Sequence, residues 1–372
     1  MKTSPHTPYK NPRLIDLFAG CGGLSLGFKS AGFEACQAVE IDPDAAETYR
    51  LNVDDHVHIG DVAGVCDWPQ ADVVVGGPPC QGFSLLGNRD PEDPRNELWR
   101  AFLHVVEESE AVAFVLENVP QFLNSDEFTR FERAARRRGF HVASDILCAA
   151  DYGVPQMRFR CIVIGSKFSE PWFPEETHGP NSPMGHPYVT VKQAFQASPP
   201  LPRRPDGDNW HRVRAGIKDF SLTRYAAVPA NGGTRLQMQE RLKADGLEHL
   251  IPPCWRRRRA GGTDVFGRLW WDRPALTIRT EFYKPEKGRY LHPVANRPIT
   301  AREAARLQSF PDSFAFPEDQ PMTSVARQIG NAVPPLLAEA VARALADHLS
   351  EHGIAHRQPT HRSKSRQLAL VS

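Results

Sequence analysis

The groups in this sequence that could do covalent chemistry are one thiol, one carboxylate and two arginines, each bordering an apolar run. Cys80 lies in Gly76-Gly77-Pro78-Pro79-Cys80-Gln81-Gly82-Phe83-Ser84, directly after Ala71-Asp72-Val73-Val74-Val75, which reads as a buried strand. The C-terminal end of a parallel strand is where an open α/β sheet presents its reactive groups. The Pro-Pro pair has a fixed φ and no backbone N–H, so it holds the approach to the thiol rigid. A cysteine alone is better read as a structural residue, since free cysteine is among the most buried residue types. The nonapeptide around Cys80 reverses that reading. As a nucleophile it would need its pKa, about 8.5 when unperturbed, lowered by nearby positive charge or helix N–H groups.

The other candidates are weaker in isolation. Glu117, in Glu117-Asn118-Val119, ends the run Ala113–Leu116, and alone it reads as a carboxylate in a turn. Arg158 and Arg160, in Gln156-Met157-Arg158-Phe159-Arg160, open the run Phe159–Ile164, where salt-bridging arginines are also common.

A second constellation points to a nucleoside. Asp16-Leu17-Phe18-Ala19-Gly20-Cys21-Gly22-Gly23-Leu24-Ser25-Leu26-Gly27-Phe28 joins a strand to a helix through a glycine-rich turn. Glycines let the backbone turn sharply and let a ligand approach it closely. Reading Gly-x-Gly-x-x-Gly from Gly20 puts Ser25 at the last position, which disfavours a nicotinamide or flavin site. A nucleoside without a pyrophosphate does not need that third glycine. Glu40, twenty residues past Gly20, is placed to accept hydrogen bonds from ribose hydroxyls. Asp61, in Gly60-Asp61-Val62, is placed to accept from an adenine amino group, although Gly-Asp is also a common turn former. A purely structural turn is the alternative for the glycine stretch.

These groups need a scaffold, and the first 170 residues supply the pattern of one. Strand-like runs at 13–18, 35–41, 73–75 and 113–116 alternate with helical patterns at 24–31, 96–107 and 126–138. The runs 142–147 and 159–164 read as a closing pair of strands. Such alternation predicts a doubly wound α/β sheet with parallel strands, a Rossmann-like fold. From about 173 to 263 the chain is rich in Pro, Gly, Asn and Arg with weak periodicity, which predicts a separate irregular module. Helical patterns return at 300–308 and 334–349, and the polar, basic tail is expected to be disordered.

At 372 residues the chain can form two domains, or one with a large insertion. It is 41% hydrophobic, with no apolar run long enough to span a bilayer and no apolar signal region at its start. The seven cysteines are scattered, without metal-ligand spacing, so neither a zinc site nor a disulfide framework is expected and a reducing cytoplasm is. The net charge of +1 does not announce a nucleic-acid binder, but residues 201–260 hold 13 Lys and Arg against 6 Asp and Glu. Arg256-Arg257-Arg258-Arg259 belongs to that stretch; it could bind phosphate or form a solvated face.

Six blocks in order carry a resemblance: the glycine turn, the Pro-Pro-Cys-Gln segment, Glu117-Asn118-Val119, Gln156 to Arg160, Arg273-Pro274-Ala275-Leu276-Thr277-Ile278, and Gln328-Ile329-Gly330-Asn331-Ala332-Val333-Pro334-Pro335. From about Arg13 to Leu349 the sequence closely resembles the DNA (cytosine-5)-methyltransferases of prokaryotic restriction–modification systems. The resemblance implies the S-adenosylmethionine-dependent methyltransferase fold and a cytosine in double-stranded DNA as substrate. It implies Cys80 as the nucleophile at carbon 6, Glu117 on N3 and the 4-amino group, and Arg158 and Arg160 near the cytosine O2, the thiol and the DNA backbone. For the cofactor it implies Phe18, Gly20, Gly22, Gly23, Glu40, Ile41, Asp61, Val62, Pro78, Leu98, Asn331 and Ala332, with no metal. Gln81, Ser84, Arg256 and Arg257 are the implied DNA contacts, and 81–96 a loop closing over a flipped base.

Implied boundaries are an N-terminal tail (1–10), a catalytic and cofactor-binding domain (11–184), a target-recognition domain (185–300), C-terminal helices returning to the catalytic domain (301–350) and a disordered tail (351–372). The resemblance further implies a cytoplasmic monomer without membrane contact, and a cognate restriction endonuclease from which host DNA is protected. Alternatives are a tRNA cytosine-5 methyltransferase of the same fold and a catalytically inactive DNA-binding regulator. A Rossmann oxidoreductase is a distant third.

Overall fold

Strands buried on both faces read as continuous apolar runs, whereas half-exposed strands alternate. β4 (Val73–Gly76) and β5 (Ala113–Asn118) are buried along their whole length, and β1 (Arg13–Leu17) from its second residue on. They form the middle of a seven-stranded sheet in a computed structural model that describes residues 11–79, 98–196, 210–211, 216–257 and 265–354. The side chains of Arg256 and Arg257 are not described. Cys80, Gln81, Ser84, the expected 81–96 loop and most of the C-terminal tail lie outside the described residues.

The described residues divide into two compact units. The first comprises 11–153, 159–186 and 332–354, and holds the large sheet. With β2 (Glu34–Glu40), β3 (Val57–Ile59), β6 (His141–Cys148) and β8 (Phe159–Ser166), the strand order is β3-β2-β1-β4-β5-β8-β6. The order reverses direction between β1 and β4, which are parallel neighbours with Leu17 opposite Gly76. Their C-terminal ends therefore flank the topological switch point, the crevice where open α/β sheets bind ligands. The glycine turn follows β1 and the Pro-Pro-Cys segment follows β4, so the fold brings these two sequence motifs to one place.

The helices α1 (Gly23–Ser30), α2 (Pro43–Asn52), α3 (Leu98–Glu108), α4 (Asp126–Arg137) and α11 (Pro335–Glu351) belong to this unit. α3 and α4 bury Phe102 and Phe131 against Phe114 of β5, with ring centroids 5.9 and 5.6 Å apart in edge-on contact. α1 and α11 pack closely enough that a Cβ on Gly27 would lie 2.4 Å from that of Ala338.

Two expectations for this sheet are corrected. It is not all parallel: β8 runs antiparallel to both β5 and β6. Only 149–158 separates β6 from β8, and a parallel return needs a crossover of a dozen or more residues. The helix α2 was not expected. Its start carries a legible signal, since Asp42 accepts from Asp44 N–H and Pro43 occupies the first turn.

The second unit, 154–158 and 187–331, is more regular than its composition predicts. It contains α5 (Val191–Gln196), α6 (Asp219–Ala227), α7 (Arg235–Ala244), α8 (Pro253–Arg257), α9 (Ala301–Leu307) and α10 (Met322–Asn331). α7 hides its periodicity because its buried residues are Arg235, Met238 and Leu242, one of them charged. Thr234 with Gln237 and Thr300 with Glu303 form capping boxes that start α7 and α9. The block 328–335, expected to begin the last helix, instead ends α10 at Asn331, and α11 starts separately at Pro335. Gln156-Met157 is β7, paired in parallel with β9 (Ala275–Leu276) rather than opening β8.

A buried cation organises part of this unit. The Arg268 guanidinium donates to the carbonyls of Tyr225, Val228, His292 and Ala295 and to Asn296 Oδ1. Its five donors in a rigid fork suit such a carbonyl hub, and burial lowers its pKa. Among the described residues no helix is long and apolar enough to cross a membrane, and no group of His, Cys, Asp and Glu could hold a metal ion.

Candidate active site

The turn after β1 is built from backbone conformations that side chains rarely adopt. Phe18, Gly20 and Gly22 have φ of +58°, +56° and +92°. A non-glycine residue held at positive φ is locally strained, which fits a segment shaped for a ligand. Ala19 N–H donates to the Val39 carbonyl, tying the turn to β2, and Gly22 N–H donates back to Ala19. The Glu40 carboxylate, at the end of β2, accepts from Gly20 N–H at 2.7 Å and Asp42 N–H at 2.8 Å. Burial pushes its pKa up, and those two N–H groups pull it back. Each carboxylate oxygen keeps a second lone pair for a further donor.

The other expected cofactor residues of this unit lie on separate elements. Ile41 is 67% exposed directly after the buried Glu40, an apolar surface beside a polar one. Asp61 is exposed, and its carboxylate caps a short 3-10 helix through Ala63 N–H. Val62 is buried beneath it. Leu98 is half-buried at the start of α3.

The two turn glycines are not equivalent. A Cβ on Gly20 would meet nothing within 4 Å, whereas one on Gly22 would lie 2.6 Å from Val53 Cγ2 and 3.0 Å from Tyr49 Cδ2. Gly20→Ala is expected to cost about 1–2 kcal/mol, the left-handed penalty alone. Gly22→Ala adds about 1–3 kcal/mol of overpacking. Thermal unfolding of both variants checks the order; equal losses would contradict it.

Across the switch point, β4 leads to the thiol. Its last residue, Gly76, sits so close to β1 that a Cβ would be 2.5 Å from the Leu17 carbonyl oxygen. Pro78 is buried, and its carbonyl accepts from Asn118 Nδ2 at 3.1 Å. Asn118 thus anchors the Pro-Pro approach from the end of β5. It stands beside Glu117 in sequence, yet nothing in its side-chain type alone distinguishes it from a turn residue.

Glu117 is buried at the end of β5. Arg160 Nε lies 2.7 Å from Glu117 Oε1. Glu117 Oε2 lies over Gly77, 2.9 Å from where a Cβ would be, so a side chain there would push the carboxylate aside. One oxygen is therefore engaged by a cation while the other overlooks the segment leading to Cys80. Burial lowers the Arg160 pKa, and the Glu117 charge offsets part of that. β5 and β8 are antiparallel with Glu117 opposite Ile162, which sets the carboxylate and the arginine side by side on neighbouring strands.

Arg158 has a different setting from Arg160. It is fully buried in the second unit and donates to the carbonyls of Ile278 and Gly330, at 3.1 and 2.8 Å. Gln156 accepts from Ile278 N–H and donates to the Leu307 carbonyl. These two residues hold the blocks 273–278 and 328–331 together, contacts that only long-range folding creates. Asn331 is exposed at the end of α10, and Ala332 is half-buried just after it. Of the described thiols, burial pushes Cys21 up to about 12 and also raises Cys36. Neither supplies a thiolate near neutral pH.

The family model for C-5 cytosine-specific DNA methylases matches residues 12–347. The Type II methyltransferase M1.HphI of Haemophilus parahaemolyticus is 37% identical over 348 residues, spanning 89% of this chain and 86% of that protein. M.DdeI of Desulfomicrobium norvegicum, also a Type II methyltransferase, is 32% identical over 370 residues, 88% of this chain and 87% of its own. The crystal structure of a DNA modification methyltransferase encoded within an E. coli prophage matches with a TM-score of 0.63 and 29% identity, over 91% of this chain and 100% of that one. The Dnmt2 methyltransferase of S. pombe, with a TM-score of 0.57 and 18% identity over 91% of this chain and 99% of that one, shows the shared fold alone.

Proposed function

The chain belongs to the C-5 cytosine-specific DNA methylase family and is a DNA cytosine methyltransferase, and we propose that it works through Cys80 on a base flipped out of double-stranded DNA. The observation that carries this reading is the Glu117–Arg160 pair, 2.7 Å apart, with the other carboxylate oxygen over Gly77, three residues before Cys80.

Carbon 5 of cytosine is a poor nucleophile until a group adds at carbon 6. A thiolate suits that addition. Cys80 Sγ forms a bond to carbon 6 while electron density moves onto N3. Glu117 donates a proton there and accepts from the 4-amino group, which limits the charge that builds up. Arg160 orients Glu117, while Arg158, fully buried on the Ile278 and Gly330 carbonyls, is given a supporting role in the second unit rather than a contact with the base. S-adenosylmethionine supplies the methyl group that carbon 5 takes. Water takes the carbon 5 proton, the Cys80 thiolate leaves carbon 6, and N3 returns its proton to Glu117, which restores the aromatic ring.

The residues around the turn suit that cofactor. Open space above Gly20 admits a ligand against the backbone, and Glu40 has acceptor capacity left for ribose hydroxyls. The exposed Ile41 offers an apolar face for adenine, with Asp61 beside it for the amino group. Phe18, Gly22, Gly23, Val62, Pro78, Leu98, Asn331 and Ala332 complete the proposed lining. The second unit is assigned target recognition, with Arg256 and Arg257 on DNA and Gln81 and Ser84 contributing from the segment after the thiol. Relatives named as Type II methyltransferases support a restriction–modification setting in which host DNA is protected from a partner endonuclease, and a cytoplasmic monomer is proposed with it.

The test is expression in a methylation-free bacterium followed by bisulfite sequencing. The expected result is 5-methylcytosine at one short DNA sequence throughout the genome. Its absence with soluble enzyme present, or methylation of tRNA alone, overturns the reading.

A further inference from the structure

Beneath the glycine turn lies a chain of buried polar groups, two of which, Asp16 and Ser25, belong to the glycine-turn motif itself. Ser25 Oγ donates to Asp16 Oδ2 at 2.6 Å, and Ser25 Oγ is 2.9 Å from Tyr49 Oη. Tyr49 Oη is in turn 3.0 Å from His56 Nε2. Asp16 is the penultimate residue of β1, Ser25 is in the first turn of α1, Tyr49 is on α2 and His56 precedes β3. Asp16, Ser25 and Tyr49 are all at most 1% exposed, and His56 reaches the surface.

Counting protons gives this chain a direction. The Ser25 hydroxyl has one proton, and it goes to Asp16 when that carboxylate is ionised. The Ser25–Tyr49 contact then needs the Tyr49 proton. The Tyr49–His56 contact must therefore be filled by an N–H on His56 Nε2. Every donor points toward Asp16, and such chains polarise cooperatively in a low dielectric. The arrangement sustains a carboxylate where burial opposes one. Among the described residues the charge that acts on it is an anion, Glu40, which pushes its pKa further up. Burial, the largest cause, raises the Asp16 pKa to about 7 even with the Ser25 hydrogen bond working against it.

Tyr49 also touches the turn itself, since its ring bounds the space at Gly22 that a Cβ would enter. One side chain thus supports both the turn backbone and the anion under it. We propose that Tyr49 and Ser25 are positioning residues for the methyl donor, holding the Asp16 carboxylate beneath the turn as the counter-charge to a cationic ligand. The inference rests on the turn being the S-adenosylmethionine site, and it deepens that reading. S-adenosylmethionine carries a sulfonium charge, and S-adenosylhomocysteine, left after transfer, does not. A carboxylate held under the turn favours the donor over the product.

Titration calorimetry of both ligands against the wild type, Tyr49→Phe and Ser25→Ala tests this. Tyr49→Phe keeps the ring against Gly22 and removes only the hydroxyl. It is expected to weaken S-adenosylmethionine binding about three- to ten-fold, the worth of one ordinary hydrogen bond, and S-adenosylhomocysteine binding by less. Ser25→Ala should act in the same direction, and the double variant should lose less than the product of the single losses. If both ligands bind the variants as they bind the wild type, or both weaken equally, the inference fails while the site stands. If the wild type binds neither ligand, the reading of the turn fails and takes the inference with it.

Discussion

Cys80→Ala is expected to abolish methyl transfer, by roughly 10⁴-fold or more, the order seen when an activated nucleophile is removed from a catalytic unit. Binding of S-adenosylmethionine and of cognate DNA should persist, because the change removes one sulfur atom and no described support of the turn. The separation of binding from chemistry is what identifies a nucleophile. A substrate with fluorine at carbon 5 sharpens the test, since that carbon then has no proton to lose and the enzyme cannot be released. The wild type should remain joined to such DNA under denaturing conditions, and Cys80→Ala should not. Retention of more than a hundredth of the wild-type rate by the alanine variant would overturn the covalent route.

The second large effect is expected at Glu117. Glu117→Gln keeps the size of the side chain and can still accept from the 4-amino group, but it cannot give a proton to N3. A positioned general acid contributes about 10²- to 10⁴-fold, and a loss in that range is expected in the single-turnover rate. The substitution also breaks the ion pair with Arg160, whose Nε lies 2.7 Å from Glu117 Oε1 in a largely buried setting. Removing one partner of such a pair leaves the other charge uncompensated, so a fall in thermal stability should accompany the rate loss. Arg160→Gln separates the two contributions. It should lower stability similarly, while reducing the rate less because Glu117 keeps its proton-transfer role. Equal rates for Glu117→Gln and the wild type would remove Glu117 from the chemistry.

Much of the site was legible because its chemistry sits at strand ends, where turn residues punctuate apolar runs. Gly20, Glu40 and Glu117 could be placed on elements before any coordinates, and the structure sets Glu40 against the turn. What residue type does not reveal is polar and buried. Asp16, Ser25 and Tyr49 look like ordinary members of a strand and two helices, because burial and hydrogen bonding are not visible in residue type. Asn118 was in view but its bond to Pro78 was not. The helices α6 to α8 were missed for a related reason: α7 buries an arginine among its inward residues, so periodicity of apolar residues understates it.

Local chemistry is what the amino-acid sequence determined by itself. Glycines that tolerate positive φ, prolines that stiffen a segment and β-branched runs that prefer strands all act over a few residues. Their effect does not depend on distant partners. The family blocks, each a short turn or strand end, are legible for that reason. Which blocks meet was decided by tertiary structure. The parallel pairing of β1 with β4 puts the glycine turn and the thiol segment at one switch point, although 59 residues separate Gly20 from Pro79. The antiparallel insertion of β8 beside β5 joins Arg160 to Glu117 across 43 positions. Such pairings form only when burying whole strands outweighs the entropy of closing long loops, a balance struck over the entire sheet.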